Sequence, residues 1–357
     1  MNIIVACIVA AAIAFAISFG LGYVVIPFLH KLKFGQTILD IGPNWHKNKQ
    51  GTPTMGGILF IIGTVVAFAV VVIIDKIMGG DIVGSVLGNT AASDVLSDVV
   101  STQAASNKIK VWSGLVMALG FAFIGFLDDY IKVVKKRNLG LTIKQKTILQ
   151  VILMVGYLLT LFINDPTGAT FIPFFGMVET GYFFWILGFA VMYATTNAVN
   201  FTDGVDGLCG SVTVTATLSF IAIAGLRNCF GVSLMAAALA GGLVGYLIWN
   251  WHPAKVMMGD LGSMFLGGLV VAFAYAVDCP IIILLTGIIY VIEFASDILQ
   301  IGYFKLTHGK RIFKMAPIHH HFEMCGWKEV KIVKVFSVIN LIGGIIAVLL
   351  VHFGAPK

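Results

Sequence analysis

NIIVACIVAAAIAFAISFGLGYVVIPFL, residues 2–29, is the stretch of sequence that decides the fold. It holds no Asp, Glu, Lys or Arg, and it exceeds the roughly 20 helical residues that cross a hydrocarbon core of about 30 Å. Met1-Asn2 offers no basic segment ahead of it, and the uncharged run is too long for the apolar part of a signal peptide. We expect it to remain in the protein as a membrane-spanning helix.

Similar apolar runs recur along the whole chain. Because 59% of the 357 residues are hydrophobic and 11% are charged, with a mean hydropathy of +0.97, polar surface is too scarce to enclose a soluble domain. The runs are continuous and far longer than the roughly ten alternating residues of a barrel strand. The sequence predicts one all-α, polytopic integral membrane helix bundle over residues 1–357, with about ten spans near 2–29, 56–77, 111–127, 146–163, 182–199, 211–226, 229–249, 262–277, 281–303 and 332–353.

Positive charge is distributed unequally between the loops. Most of the 23 Lys and Arg residues follow the odd-numbered runs, and such loops face the cytoplasm. The sequence therefore predicts both termini outside and the active-site loops inside. Segments 78–110 and 164–181 are predicted to be external and without chemistry, the second as a hairpin. The five cysteines are scattered and mostly apolar in context, which argues against a disulfide framework or a zinc site.

Acidic residues stand just beyond three of the apolar runs. Asp128-Asp129 follow one run, and Asp260 stands between Gly259 and Gly262 before another. Clustered carboxylates suit a hard cation such as Mg²⁺, which proteins hold with one or two carboxylates and substrate phosphates. The alternatives are a helix-end acidic pair balanced by nearby lysines, and a simple helix cap at Asp260.

The third acidic motif is TTNAVNFTDGVDGLCG, residues 195–210, which has no Lys or Arg. Its glycines let backbone and carboxylates approach a phosphate or a sugar, whereas the spacing of a calcium-binding EF-hand loop is absent. A tight turn between helices is the structural alternative. The candidate ligand-binding side chains here are Asn197, Asn200, Asp203 and Asp206.

Two further polar groups lie near the C-terminal end. His319, His320 and His321 occur in a basic loop, and their titration near neutral pH suits phosphate contact or proton transfer. Three consecutive histidines cannot all reach one ligand from a regular helix, so at most two should share one. Glu293, Asp297 and Gln300 share one helical face, which predicts either a polar groove or a buried structural network. Contact with anionic lipid is the alternative role for the histidines.

Five motifs in this order resemble the bacterial phospho-N-acetylmuramoyl-pentapeptide transferase family, within the polyprenyl-phosphate N-acetylhexosamine-1-phosphate transferase superfamily. The resemblance covers about residues 45–331, and its motifs are GTPTMGG, GFLDDYIK, NAVNFTDGVDGL, PAKVMMGDLGS and KMAPIHHHFE. It implies Mg²⁺-dependent transfer of phospho-MurNAc-pentapeptide from UDP-MurNAc-pentapeptide to undecaprenyl phosphate in peptidoglycan synthesis, giving lipid I and UMP. It also implies ten spans, a homodimer, contact with membrane lipid, a cytoplasmic cleft at the bacterial inner membrane and no nucleic acid.

The same resemblance assigns roles by motif position. It implies that Asp128 and Asp129 are paired catalytic carboxylates and that Asp260 is catalytic and binds the magnesium ion. It gives His319 and His320 catalytic and nucleotide-sugar-binding roles. The other implied substrate-binding residues are Lys49, Lys132, Lys144, Asn197, Asn200, Asp203, Asp206, Asn250, Met257, Gln300 and His321. Met257 departs from a frequent Phe and Asp297 from a usually apolar residue, which can alter nucleoside binding without changing the chemistry.

Three functions remain open at this point. The first is the phospho-MurNAc-pentapeptide transfer that the resemblance implies. In that reaction Asp128 or Asp129 either takes a proton from the acceptor phosphate or attacks directly and forms a covalent intermediate. A transferase of N-acetylglucosamine-1-phosphate from its UDP sugar is the second function. A transporter or channel is the third, because intramembrane acids also line ion pathways, although here the polar residues gather at one membrane face.

Overall fold

Long helices account for nearly all of the structure. The computed structural model describes residues 1–32, 51–85, 94–134 and 140–355. Within them the helices are α1 (Ile3–Lys31), α2 (Gly57–Ile77), α3 (Asp94–Val134), α4 (Ile143–Asn164), α5 (Tyr182–Thr202), α6 (Leu208–Leu226), α7 (Phe230–Asn250), α8 (Gly259–Ala276), α9 (Ile283–Thr286), α10 (Ile288–Leu306), α11 (Ile318–Met324) and α12 (Glu329–Phe353). The two strands are β1 (Ala169–Ile172) and β2 (Gly176–Glu179), and a 3₁₀ turn occupies Pro280–Ile282.

The predicted all-α membrane bundle is confirmed. In the described residues, nine helices are long and apolar enough to cross a membrane, and a bent pair makes up to ten. Their apolar surfaces remain outward because lipid, unlike water, imposes no cost on them, while each helix satisfies its own backbone hydrogen bonds.

The third predicted span is longer than the sequence indicated. Residues 94–110 were predicted to be part of an external loop, but α3 already begins at Asp94. Polar side chains of this extension find partners in the connections between other helices: Asn107 Nδ2 donates to the Asn228 carbonyl at 3.3 Å, and Lys110 pairs with Asp278 at 2.6 Å. The helix continues because these contacts, which are remote in sequence, stabilise its polar residues.

The ninth predicted span, 281–303, is broken. The segments Pro280–Thr286 and Ile288–Leu306 meet at Gly287 with a bend of 88°. Asn340 of α12 satisfies both broken ends, since its Nδ2 donates to the Thr286 carbonyl at 3.0 Å and its Oδ1 accepts from Ile289 N at 3.3 Å. A neighbouring side chain thus replaces the helical hydrogen bonds that the break removes.

Met1 and Gly354, near the two ends of the described chain, lie at one end of the bundle, together with the predicted hairpin. The hairpin is confirmed by the antiparallel pairing of β1 with β2. The Met1 ammonium contacts Asp75 Oδ1 at 2.7 Å, Phe174 N donates to the Gly354 carbonyl at 2.8 Å, and Phe171 N donates to Asp278 O at 2.6 Å. The C-terminal end of α3 and the N-terminal end of α8 lie at the opposite end.

Small residues bring α3 and α8 into close contact. A Cβ on Gly268 would lie 2.9 Å from the Ala118 Cα, and one on Gly114 would lie 2.7 Å from the Ala272 Cβ. Packing of small residues is a general source of helix association in lipid, where burial of apolar surface gives little. This contact carries the end of α3 against the start of α8, where the acidic residues stand.

Cys325 offers a direct test of the predicted orientation. It is exposed, whereas Cys209, Cys229 and Cys279 are buried, and burial raises the pKa of the Cys229 thiol to about 12 and that of the Cys279 thiol to about 11. Because thiolates are the reactive species, those two thiols should stay unreactive at neutral pH. We expect a membrane-impermeant maleimide to label Cys325 in inverted vesicles and not in intact cells. The variant Cys325→Ser is the control, and labelling of Cys325 from the cell exterior would reverse the assigned topology.

Candidate active site

Three carboxylates converge between α3 and α8. Asp128 and Asp129 end the membrane-spanning part of α3, and Asp260 lies in the first turn of α8. One oxygen from each side chain lies within 4.8 Å of the others, and Asp128 and Asp129 are only 4% and 3% exposed. The sequence predicted that the acidic groups of Asp128-Asp129, Asp203 and Asp260 would share one site, and the structure brings together Asp128, Asp129 and Asp260. Asp203 is not a member of this cluster.

Two lysines neutralise part of this negative charge. Lys132 Nζ lies 2.5 Å from Asp128 Oδ2, 3.1 Å from Asp260 Oδ2 and 3.8 Å from Asp129 Oδ1. Lys146 Nζ, from the first turns of α4, lies 3.0 Å from Asp260 Oδ2. Two buried acids and a partly buried one would repel one another strongly without such partners, so the cluster depends on both ammonium groups.

Lys146 is a site residue that the sequence reasoning missed. Lys144 was chosen instead, and it is exposed in the structure. The signal was available in the period of α4, because the buried positions Gln150, Met154 and Tyr157 continue backwards by four residues to Lys146. Lys144 falls on the opposite face.

Backbone amides fix the orientation of the carboxylates. Leu141 N donates to Asp128 Oδ1 at 2.7 Å, and Leu261 N donates to Asp129 Oδ2 at 3.1 Å. Gly259, with φ of +75°, lets the chain enter α8 beside Asp129, since a Cβ there would lie 2.5 Å from Asp129 Oδ2. Asp260 Oδ1 accepts from Asn200 Nδ2 at 3.0 Å. These hydrogen bonds hold the three carboxylates in fixed orientations.

The donor set of this cluster suits a hard divalent cation. Asp128, Asp129 and Asp260 supply carboxylate oxygens, which Mg²⁺ prefers over nitrogen or sulfur ligands. The two lysines would then act on the phosphate oxygens of a substrate, for which an ammonium group is a strong partner.

A second polar group ties three loops together beside α5. Asp206 Oδ2 accepts from Ala254 N at 3.1 Å and lies 3.0 Å from His252 Nδ1, while Asp206 N donates to Glu329 Oε2 at 3.2 Å. His252 and Glu329 were not singled out from the sequence. Only their partner Asp206 lay in a motif, because the three residues come from connections far apart in the chain.

The remaining predicted residues of the neighbouring loops have defined contacts. Asn250 Oδ1 accepts from Gly207 N at 3.0 Å and its Nδ2 donates to Val256 O at 2.9 Å, so it joins two loops. Asp203 N donates to the Asn200 carbonyl at 3.3 Å, next to the cluster. Asn197 instead bonds the Tyr193 carbonyl and faces Gln150.

Met257 and Gln300 hold loops by hydrogen bonds. Met257 N donates to the Pro53 carbonyl at 2.8 Å, and its own carbonyl accepts from Gly56 N at 2.9 Å, which fastens the GTPTMGG segment beside the cluster. Gln300 Oε1 accepts from Phe313 N at 3.0 Å and anchors the loop that leads to the histidines. Lys49 lies outside the described residues.

The three histidines, predicted to lie in a basic loop, stand on α11 and have three different partners, which agrees with the prediction that at most two share one ligand. His319 Nδ1 lies 3.0 Å from Glu293 Oε2, His320 Nδ1 lies 2.6 Å from Glu323 Oε2, and His321 Nδ1 accepts from Lys314 N at 3.1 Å. His319 is fully buried beneath the loop that carries Asp203. The face of α10 that holds Glu293 is therefore closed by α11.

Gly204 is the residue of that loop that packs against His319, and a substitution there tests this packing. A Cβ at Gly204 would lie 2.2 Å from His319 Nε2, and the ring cannot yield easily because Glu293 holds its other nitrogen. We expect Gly204→Ala to lower transfer activity about 10²-fold through displacement of the loop. The matched control is Gly210→Ala, whose Cβ would meet only the mobile end of Leu247 at 3.0 Å. Equal activity of the two variants would contradict this packing.

The fold and the site define a class: a multi-pass membrane enzyme with a carboxylate and lysine centre suited to phosphate chemistry. The glycosyl transferase family 4 model matches residues 111–278, and the phospho-N-acetylmuramoyl-pentapeptide-transferase signature 1 matches residues 49–61. Together with a relative that is 43% identical over 92% of this chain, these matches show that the chain belongs to the phospho-N-acetylmuramoyl-pentapeptide-transferase family.

Relatives with that name match nearly the whole chain. The protein from Listeria monocytogenes serovar 1/2a is 43% identical over 335 residues, 92% of this chain and 93% of its own length. The protein from Clostridium perfringens strain 13 / Type A is 43% identical over 346 residues, 96% of this chain and 95% of its own length. The predicted family and the predicted enzyme class are thereby confirmed, and the transporter alternative is set aside.

Proposed function

We propose that this enzyme transfers phospho-MurNAc-pentapeptide from UDP-MurNAc-pentapeptide to undecaprenyl phosphate, giving lipid I and UMP, at the cytoplasmic face of the bacterial membrane. The observation that carries the proposal is the convergence of Asp128, Asp129 and Asp260 with Lys132 and Lys146. Phosphoryl transfer needs little covalent help from protein and is served mainly by alignment and charge neutralisation, which this group of residues is built to supply.

Mg²⁺ is the proposed cofactor. Asp260 is the proposed ligand by motif position, and Asp128 and Asp129 present carboxylate oxygens to the same space. A bound Mg²⁺ would neutralise charge on the pyrophosphate of the donor. Lys132 and Lys146 would hold the phosphate oxygens beside it.

Asp128 and Asp129 offer two routes for the chemical step. In one route a carboxylate takes the proton of the acceptor phosphate, whose oxygen then attacks the β-phosphorus of the donor and displaces UMP. In the other a carboxylate attacks the β-phosphorus first, displaces UMP and holds the phospho-MurNAc-pentapeptide covalently, and the acceptor phosphate then attacks the same phosphorus and releases the carboxylate. Rapid quench with donor alone distinguishes them, because only the second route releases UMP in the first turnover without acceptor.

A large apolar cavity supports a polyprenyl acceptor. It has a volume of about 620 Å³, lies between α5, α10 and the hairpin, and is lined almost wholly by apolar atoms. Its lining reaches Thr195 and Ala198, within about one helical turn of Asn200, which bonds Asp260. A hydrocarbon chain in this cavity would have its phosphate end directed towards the carboxylates.

The nucleotide sugar is proposed to bind at the loops around the cluster. Asn200 donates to Asp260, Asp203 N donates to the Asn200 carbonyl, and the Asp206 loop is held by His252 and Asn250. The homodimer and the binding roles of Lys49, Lys144 and Asn197 stay predictions from the family resemblance.

One assay tests the proposal. Purified protein is supplied with Mg²⁺, undecaprenyl phosphate and either UDP-MurNAc-pentapeptide or UDP-GlcNAc, and released UMP is measured. We expect release only with UDP-MurNAc-pentapeptide, and loss of release when EDTA removes the metal. UMP from UDP-GlcNAc alone would favour the N-acetylglucosamine branch, and release that EDTA leaves unchanged would remove magnesium from the proposal.

A further inference from the structure

Glu293 is a fully buried acid that the chemistry described above does not use. It lies in α10, within a membrane-spanning segment, with 0% exposure. Its Oε2 lies 3.0 Å from Nδ1 of His319, which is also 0% exposed. Ionisable side chains at such positions are costly to bury and are often tied to function.

The outer atoms of this pair lack partners. In the part of the chain that the structure describes, Glu293 Oε1 and His319 Nε2 have no hydrogen-bond partner. Buried polar atoms without partners are rare and destabilising, so each one requires an explanation. The His319 ring packs against the Cα of Gly204, in the loop that carries Asp203. His319 Nε2 thus points at the loop proposed to bind the nucleotide sugar.

We propose that Glu293 is a positioning residue for His319. The carboxylate accepts a hydrogen bond from the Nδ1–H group, which fixes the ring orientation and the tautomer. Nε2 is then available to an oxygen of the donor substrate when the Gly204 loop moves to admit it. A carboxylate behind a histidine has this effect in catalytic triads and at metal ligands. The inference rests on the proposed function, because the ligand of Nε2 is the substrate of that reaction.

A purely structural role makes a different prediction. If Glu293 only attached α11 to α10, then Glu293→Gln would preserve the attachment, since an amide of the same shape keeps one hydrogen bond to Nδ1. Glutamine can either accept or donate that bond, so it no longer decides which ring nitrogen carries the proton. The charge and the tautomer are lost while the packing remains.

Steady-state kinetics separate the two roles. We expect Glu293→Gln to lower kcat about 10²-fold, with KM for UDP-MurNAc-pentapeptide and the thermal unfolding temperature near wild type. Glu293→Asp should recover part of the loss because it restores the carboxylate. In a His319→Asn background, Glu293→Gln should cause no additional loss, since a residue that acts through His319 has no effect without it.

Nuclear magnetic resonance of the histidine side chains tests the effect of Glu293 on the His319 tautomer without measuring turnover. In protein labelled with ¹⁵N at its eight histidines, the signal that His319→Asn removes should show a single fixed protonation pattern. Glu293→Gln should change that pattern. Asp278→Asn, which removes an acid at the opposite end of the bundle, is the control for loss of an acid, and we expect near wild-type kcat from it.

The outcomes are distinguishable. Wild-type kcat in Glu293→Gln, an equal loss in the His319→Asn background, or the same loss in Asp278→Asn would each overturn the positioning role. If wild-type protein releases no UMP, the proposed function fails, and an unchanged His319 signal in Glu293→Gln would overturn the pairing itself. If Glu293→Gln does not fold, Glu293→Asp carries the test, and it must then lower kcat without changing KM.

Discussion

Asp260→Asn should abolish transfer, with activity lower by at least about 10³-fold, while the protein remains folded. Asp260 accepts contacts from Lys132, Lys146 and Asn200, so side chains of three other helices converge on this carboxylate. Asparagine has the same shape but no charge, so it cannot offset two ammonium groups or bind a divalent cation strongly. UMP release by the purified variant in detergent measures the effect.

The control for Asp260→Asn is a second acid that pairs with a lysine at the opposite end of the bundle. Asp278 contacts Lys110 at 2.6 Å, far from the carboxylate cluster, and its φ of +57° is one that asparagine tolerates. Asp278→Asn should therefore keep its activity. Near-normal UMP release from Asp260→Asn would remove this residue from the chemistry, and equal losses in both variants would indicate a general loss of folding.

Much of the fold could be predicted because an apolar segment in a membrane must form a helix, and the thickness of the hydrocarbon core sets the length of that helix. Every predicted span has a helix in the structure, since apolar runs of about 20 residues have no other way to satisfy their backbone in lipid. The break at Gly287 could not be predicted, because the side chain that stabilises it, Asn340, comes from a helix more than 50 residues away.

The candidate site could be predicted where its residues end apolar runs. Asp128 and Asp129 stand near the C-terminal end of α3, and Asp260 stands at the N-terminal end of α8. Because successive spans run in opposite directions, these two helix ends lie at the same end of the bundle. Helix periodicity could have selected Lys146 over Lys144. The group of Asp206, His252 and Glu329 needs the relative placement of three loops, and no local pattern contains that information.

The contact at Gly125 gives the prediction that links the packing of the bundle to its chemistry. A Cβ at Gly125 would lie 2.1 Å from the Asp260 carbonyl oxygen and 2.5 Å from Leu261 N. These are backbone atoms of α8, which cannot rotate away, so Gly125→Ala must push α3 and α8 apart. The same displacement would separate Asp128 and Asp129 from Asp260, because all three are attached to these two helices at the point of contact.

Gly125→Ala should therefore lower both stability and activity. Overpacking of this kind costs about 1–3 kcal/mol, and a displacement of about 1 Å between catalytic groups can cost about 10²-fold in rate. Gly156→Ala in α4 is the matched control, since a Cβ there meets nothing within 4 Å, and alanine favours a helix over glycine by about 1 kcal/mol. Thermal unfolding and UMP release should show a loss in the first variant and no loss in the second. Wild-type unfolding temperature and activity in Gly125→Ala would show that the carboxylates do not depend on this helix contact.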